Sequence, residues 1–313
     1  MSLLSEITTS LGITMPVFLM VVLGILFRRF GLMQEEFVRG LNRFVFQIAL
    51  PVSIFFQLYQ AEFRSTWDGK FLAFCFLATA AQVWIGWFLA KRIERAEDRM
   101  EFIQATYRSS TALLGLAYLQ QAYDSASASA LMMVGCVPIY NIAAVWLLEK
   151  GSDNTGAGTR AALRDIARNP IIWSIVIGFV FSYFRIPLFS IGEKTVKNVA
   201  QMASPAGLIA MGASINFQRL RDSRKTILWA SAWKLLLFPA IFLPLAVLCG
   251  FRTEKLMAIL IMVGSATTIA AYTMAKNMGH DGEVSAGAIM ITTLGSAVSM
   301  TWWILVLRHW NLL

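Results

Sequence analysis

Two stretches, TYRSSTALLG (residues 106–115) and GSATTIAAYT (264–273), decide how this chain folds. Each lies inside an apolar segment that is long enough to cross a bilayer. Each interrupts that segment with a cluster of hydroxyl-bearing residues, and the first also contains Arg108. Within the hydrocarbon region of a bilayer, irregular backbone survives only where protein or a cavity covers it. Ser and Thr hydroxyls can replace the helical hydrogen bonds that are lost there. We therefore predict that both segments break and cross; ordinary packing of Ser and Thr between intact helices is the alternative.

The composition is that of an integral membrane protein. Of the 313 residues, 57% are hydrophobic and 14% are charged, whereas soluble domains average about 45–50% and about 25%. Ten segments approach the roughly 20 apolar residues of a spanning helix, and we number them 1 to 10. They cover residues 11–28, 40–60, 70–90, 102–122, 128–148, 169–186, 195–216, 226–249, 254–275 and 285–307. The predicted fold class is all-α, with a cytoplasmic linker at 150–168 that separates five helices in 1–149 from five in 169–313.

The distribution of lysine and arginine predicts the orientation. Of the 27 basic residues, 17 lie in loops on one side of the predicted membrane and eight on the other. The richer side is cytoplasmic by the positive-inside rule. Both termini are then periplasmic or extracellular, and the short loops fit a bacterial inner membrane. Because the basic residues sit in short runs between apolar stretches, the predicted partner is the lipid bilayer and not nucleic acid.

A weak internal repeat relates the two halves. When Asp124 is aligned with Asp281, Ser110 falls opposite Thr267, each 14 residues upstream. Five helices per repeat is an odd number, so the two repeats must have opposite orientations. Inverted repeats are an architecture of secondary transporters, which bind substrate near the bilayer midplane at discontinuous helices.

The candidate substrate-binding residues surround the predicted crossing. They are Arg108, Ser109, Ser110, Thr111, Ser265, Thr267 and Thr268, with Tyr140 and Asn141 from segment 5. The predicted hinges or helix breaks are Pro51, Pro138, Pro205 and Gly115. A charge inside a span costs at least about 2.5–3.5 kcal/mol and usually marks a pathway or a buried pair. Arg108 is therefore either a ligand for a substrate carboxylate or a structural residue, satisfied by carbonyls or by Glu101 or Glu149.

Three further ionisable residues are candidates for coupling: Lys234, Asp124 and Asp281. Lys234 could instead snorkel towards the cytoplasmic side, and the two aspartates could simply cap helices or sit in solvated loops. The chain contains no nucleotide-binding, serine-hydrolase or zinc-protease fingerprint. His280 and His309 have no acidic or cysteine partners at metal-ligand spacing. We accordingly predict neither an enzyme, nor a cofactor, nor a metal site.

Five stretches carry a resemblance that spans essentially the whole chain. They are LNRFVFQIALPVSIFF (41–56), GLAYLQQAYD (115–124), VPIYNIAAVWLLEK (137–150), SPAGLIAMGASI (204–215) and YTMAKNMGHD (272–281). In this order and spacing they resemble the auxin efflux carrier family of membrane transporters, which includes bacterial malonate- and malate-type carriers and plant auxin exporters. The resemblance implies two inverted five-helix repeats in which segments 4 and 9 cross. It also implies a usually dimeric scaffold of segments 1, 2, 6 and 7, and a mobile transport domain of segments 3–5 and 8–10 that moves organic anions like an elevator.

The chain departs from the family pattern at the crossing. In segment 4 the family often has an Asn followed later by Gly–Leu–Pro. This chain has Ser110 in place of the Asn and Ala117 in place of the Pro, while Gly115 and Leu116 remain. In segment 9, Thr267 stands where a proline is typical. The predicted function is secondary active or facilitative transport of a small carboxylate or dicarboxylate. The alternatives are a carrier of a neutral or amphipathic compound, with Arg108 structural, and a membrane receptor that binds a ligand without moving it.

Overall fold

The computed structural model describes residues 3–60, 68–111, 119, 127–151 and 169–313. Every regular element in these ranges is a helix. In chain order the helices are α1 (Leu3–Arg29), α2 (Glu35–Tyr59), α3 (Gly69–Ala90), α4 (Asp98–Tyr107), α5 (Ser127–Gly151), α6 (Pro170–Phe184), α7 (Ser190–Ser214), the short α8 (Phe217–Asp222), α9 (Arg224–Leu248), α10 (Thr253–Gly264), α11 (Ile269–Asn277) and α12 (Glu283–His309).

Six stretches of the described chain are long and apolar enough to cross a bilayer. They are α2, α3, α9, α12, residues Leu131–Glu149 of α5, and Thr253–Asn277, which joins α10 to α11. The prediction of a helical membrane protein is therefore confirmed, whereas the count of ten spans and their inverted repeats stay predictions. Gly115, Asp124 and residues 152–168 of the predicted linker lie outside the described ranges.

The stretch Thr253–Asn277, which comprises α10, the break that follows it and α11, lies at the centre of the helix assembly. Of its apolar stretch 94% is buried, against 33% for α3. Large apolar side chains cover the outside instead: Trp84 is 75% exposed and Leu248 is 82% exposed. Apolar surface on this scale marks contact with a membrane or a partner, and in a chain with these spans it faces lipid.

Two spans, α2 and α9, each widen into a π turn just before a proline. The π turns are Val45–Ala49, ahead of Pro51, and Trp233–Leu237, ahead of Pro239. Proline lacks an N–H group and its ring clashes with the carbonyl four residues earlier, so a wider turn lets the helix continue. Such π turns change the direction of the side chains that follow them and occur often at functional sites.

None of the three predicted hinge prolines ends its helix. Pro51 lies in α2, and Pro138 and Pro205 lie inside α5 and α7, which are continuous through both positions. A role for these residues as hinges stays a prediction.

Helices α1 and α7 approach each other backbone to backbone. A Cβ atom added to Gly24 would lie 2.2 Å from the carbonyl oxygen of Ile209, and one added to Gly212 would lie 2.1 Å from that of Val21. Small residues permit this approach in membranes, where van der Waals packing rather than the hydrophobic effect holds helices together.

We expect Gly24→Leu to force α1 away from α7. Overpacking of a tight contact costs about 1–3 kcal/mol, so the melting temperature of the detergent-solubilised protein should fall. Gly40→Ala is the matched control, because a Cβ at Gly40 meets nothing within 4 Å and alanine is the better helix former. Equal melting temperatures for Gly24→Leu and the unmodified protein would contradict this account of the contact.

Candidate functional site

Both predicted breaks are present, and the two non-helical stretches contact each other; we call this place of contact the crossing. Apart from Leu119, the part of segment 4 that follows Thr111 lies outside the described residues, so the passage of one helix across the other stays a prediction. Helix α4 ends at Tyr107 and α10 ends at Gly264, and the next residues are extended: Arg108 has φ −77° and ψ 129°, and Ser265 has φ −78° and ψ 169°. The backbone N–H of Ser110 donates to the carbonyl oxygen of Ala266 at 2.9 Å. The two non-helical stretches are therefore hydrogen-bonded to each other, main chain to main chain.

Hydroxyl groups from each break satisfy the end of the opposite helix. The last four carbonyls of a helix have no intrahelical partners. Thr267 Oγ1 donates to the carbonyl oxygen of Ala105, near the end of α4, at 2.8 Å. Ser109 Oγ at 2.5 Å and Tyr140 Oη at 3.2 Å donate to that of Met262, near the end of α10. These three hydroxyl protons are thus engaged inside the protein.

Lys234 reaches the crossing from the π turn of α9. Its Nζ atom donates to the carbonyl oxygen of Tyr107 at 3.3 Å and also to Ser109 Oγ. The side chain is 0% exposed, so the snorkelling interpretation is wrong. Among the residues that the structure describes, no carboxylate lies within 4.0 Å of this ammonium group.

Arg108 is 2% exposed and is held by neutral groups. Its guanidinium donates to Asn141 Oδ1 at 2.9 Å, Gln104 Oε1 at 3.4 Å and Met274 Sδ at 3.0 Å. Its Nε atom has no hydrogen-bond partner in the described part of the chain. Glu101 does not neutralise it, because that carboxylate accepts the backbone N–H groups of Gly282 and Ser285 at the start of α12.

A cavity of about 70 Å³ lies beside the crossing. At about 10–15 Å³ per water, this volume admits a ligand of a few non-hydrogen atoms. Of the predicted residues it is lined by Arg108, Ser109, Ser110, Thr111, Tyr140, Asn141 and Thr268. Thr267 and Ser265 are not part of its wall; Thr267 serves α4, and the buried Ser265 Oγ has no partner among the described residues.

Sequence reasoning missed one wall of this cavity. Ser53 and Gln57 of α2 and Ser204 of α7 line it, and Gln57 Nε2 donates to Ser53 Oγ at 3.1 Å. A signal was available in the sequence: Ser53 and Gln57 are four residues apart on one face of an apolar helix, and Ser204 directly precedes Pro205. The first turn of α11, at Ile269 and Ala270, also lines the cavity.

A second, larger cavity of about 1140 Å³ opens between the ends of α1, α2, α7 and α11, and we name it the basic vestibule. Among the described residues its cations are Arg28, Arg39, Arg43 and Lys276 and its one carboxylate is Glu35. Amide side chains also line it, including Asn42, Gln47, Gln218 and Asn277. All four cations belong to loops predicted to be cytoplasmic. Asp281 lines neither cavity and instead forms a half-exposed ion pair with Arg219.

The comparison with known proteins decides the family. The sequence profile of the family described as "Membrane transport protein" matches residues 11–304. The chain belongs to this family of membrane transport proteins. It is the auxin efflux carrier family that the five quoted stretches resemble.

Three relatives cover almost the full length of the chain. An "Uncharacterized transporter" of Methanothermobacter thermautotrophicus is 23% identical over 306 residues, which is 94% of this chain and 97% of the relative. The "Uncharacterized transporter YfdV" of Escherichia coli is 20% identical over 311 residues, 96% and 99% of the two chains. A "Putative malonate transporter" of Rhizobium meliloti is 24% identical over 322 residues, 97% of each.

We expect Thr267→Val to destabilise the crossing. The change keeps the side-chain shape but leaves the carbonyl of Ala105 without its donor, and an unsatisfied buried polar group costs about 1–3 kcal/mol. Thr195→Val is the control, since the exposed Thr195 hydroxyl donates to the carbonyl of Ile191 at 2.9 Å and water can replace it. Thermal unfolding in detergent should separate the two variants, and equal shifts would contradict a structural role for Thr267 in the crossing.

Proposed function

We propose that this protein is a secondary transporter, active or facilitative, that binds a small carboxylate or dicarboxylate at Arg108 and carries it across a bacterial inner membrane. One observation carries the proposal. A guanidinium that is 2% exposed lines a small cavity, makes its contacts to neutral acceptors, and keeps one N–H without a partner in the described chain. A buried charge of this kind needs compensation, and a bound carboxylate supplies it.

The charges around the crossing favour an anion. Helix C-termini carry about −0.5 charge each and helix N-termini about +0.5. The C-terminal ends of α4 and α10 meet at Lys234, whose single positive charge offsets both. The guanidinium of Arg108 and the N-terminus of α11 remain on the cavity side. No carboxylate of the described chain lines the cavity, so the charge of its lining is positive.

The size of the cavity favours a short ligand over an amphipathic one. A volume of about 70 Å³ suits a compact carboxylate, and Arg108 can hold one in a forked, charge-assisted contact. Ser53, Gln57 and Ser204 line the same cavity and offer further polar contacts. The name of the Rhizobium meliloti relative refers to malonate, a dicarboxylate of this size class, and supports the same choice.

The basic vestibule gives anions a route to the crossing. Among the described residues, four cations and one carboxylate line it, and a cleft with an excess of one sign of charge raises the local concentration of oppositely charged ligands. Asn42 and Asn277 lie at its wall, and the Asn277 side chain donates to the carbonyl oxygen of Asn42 at 3.3 Å. This contact joins α2 to α11 at the wall of the basic vestibule.

The architecture that we propose is two inverted repeats, 1–149 and 169–313, joined by a cytoplasmic linker and containing ten spans. Reciprocal contacts at an offset of 157 residues support it. The carbonyls that accept the crossing hydroxyls belong to Ala105 and Met262, which differ by 157. The N–H groups capped by carboxylates belong to Ala128, which donates to Glu254, and Ser285, which donates to Glu101; they too differ by 157.

Movement and assembly complete the proposal. Segments 3–5 and 8–10 would move as one transport domain against a scaffold of segments 1, 2, 6 and 7, in the elevator manner that family membership suggests. The contact between Gly24 of α1 and Gly212 of α7 is of the rigid kind that a scaffold requires. A homodimer formed through the scaffold, with both termini outside the cytoplasm, belongs to the same proposal.

We expect Arg108→Gln to remove anion binding while leaving the protein folded. Loss of a hydrogen bond to a charged group costs about 1.5–3 kcal/mol, which is roughly 10- to 150-fold in affinity. Binding is measured as the rise in melting temperature that malonate causes in detergent-solubilised protein. Arg219→Gln is the control, because Arg219 pairs with Asp281 outside the crossing cavity. Unchanged malonate affinity in Arg108→Gln would rule out the assigned role.

The same assay separates the alternatives. Malonamide has nearly the shape of malonate but no charge, so equal stabilisation by malonamide would favour a carrier of neutral compounds. Binding of malonate without exchange of malonate in liposomes would favour a receptor.

A further inference from the structure

Lys234 does not line the cavity beside the crossing in which we place the anion. Its ammonium lies on the side of the crossing where α4 and α10 end, and it contributes nothing to the cavity wall. It donates directly to the carbonyl oxygen of Tyr107, the last residue of α4. Through Ser109, which accepts from Lys234 and donates to the carbonyl oxygen of Met262, it is also connected to the end of α10.

These contacts have the chemistry of a cation site. In transporters with discontinuous helices, half-helix C-termini and unwound carbonyls coordinate the coupling cation. The atoms around Lys234 Nζ are a main-chain carbonyl oxygen and a hydroxyl oxygen, which are ligands that suit a small hard cation. Two helix ends of about −0.5 charge each match one monovalent cation.

The fold holds the lysine in this position through α9. The proline that causes the π turn, Pro239, packs against the break: a Cβ added to Gly264 would lie 2.7 Å from its ring. The π turn at Trp233–Leu237 contains Lys234 itself, so the turn that accommodates the proline also sets the direction of the lysine side chain. Trp303 Nε1 donates to the carbonyl oxygen of Leu235 at 3.0 Å and so uses a main-chain acceptor of the same turn.

We propose that Lys234 is a built-in monovalent cation that occupies the place of a mobile coupling ion, so that transport by this protein needs no sodium. Removal of the side chain should then open a site for Na⁺ or for a small ammonium ion. The inference about coupling rests on the proposed function; the cation site itself does not.

The test compares the unmodified protein with Lys234→Ala and Lys234→Met. Melting temperatures are measured in detergent with sodium chloride, methylammonium chloride or choline chloride at one ionic strength. Lys234→Ala should melt several degrees higher with sodium or methylammonium than with choline. The unmodified protein and Lys234→Met, in which an uncharged side chain fills the space, should show no such difference.

Uptake of malonate into liposomes gives the second readout. The unmodified protein should transport equally in sodium and choline buffers. Lys234→Ala should lose at least tenfold in choline and recover most of that loss with sodium or methylammonium, whereas Lys234→Met should not recover.

Two results would overturn the inference: sodium-dependent uptake or melting of the unmodified protein, or a Lys234→Ala variant that responds to all three salts alike. If Lys234→Ala does not fold in choline, folding in sodium or methylammonium supports the inference, and failure to fold in all three salts overturns it. If the unmodified protein transports no carboxylate, the proposed function fails, while the melting experiment still tests the cation site.

Discussion

The structure depends on how two interrupted helices satisfy their main chain inside a bilayer. Without water, every carbonyl left free where a helix ends must find a donor in the protein. Thr267 donates to the carbonyl of Ala105 at the end of α4, and Ser109 donates to that of Met262 at the end of α10. Within the breaks, the N–H of Ser110 donates to the carbonyl of Ala266. Each break therefore depends on the other for hydrogen-bond partners, and the surrounding helices bury both.

Two buried cations, Lys234 and Arg108, have different surroundings at this crossing. Lys234 faces the helix C-termini and neutralises them, so it belongs to the framework. Arg108 faces the cavity and stays without a carboxylate among the described residues. In the function that we propose, the end neutralised by Lys234 holds the fold, and the side of the break that carries Arg108 binds the ligand.

The breaks were predictable because consecutive polar residues such as Arg108 and Ser109 have no place in hydrocarbon except beside protein or a cavity. The role of Lys234 was not, since its depth and direction come from a π turn that the sequence pattern does not reveal. Ser53 of α2 reaches the cavity through tertiary packing, which periodicity alone cannot give. A hydroxyl that binds a substrate cannot be distinguished in a sequence from one that donates to a main-chain carbonyl, as Thr267 does here.

The most direct test of the account is counterflow of radiolabelled malonate into liposomes that contain the purified protein and are preloaded with unlabelled malonate. The account predicts transient accumulation of label that excess unlabelled malonate abolishes and malonamide does not. Binding of malonate in detergent without any counterflow, or accumulation abolished equally by malonamide, would contradict the central claim that the protein transports a small organic anion bound at the crossing.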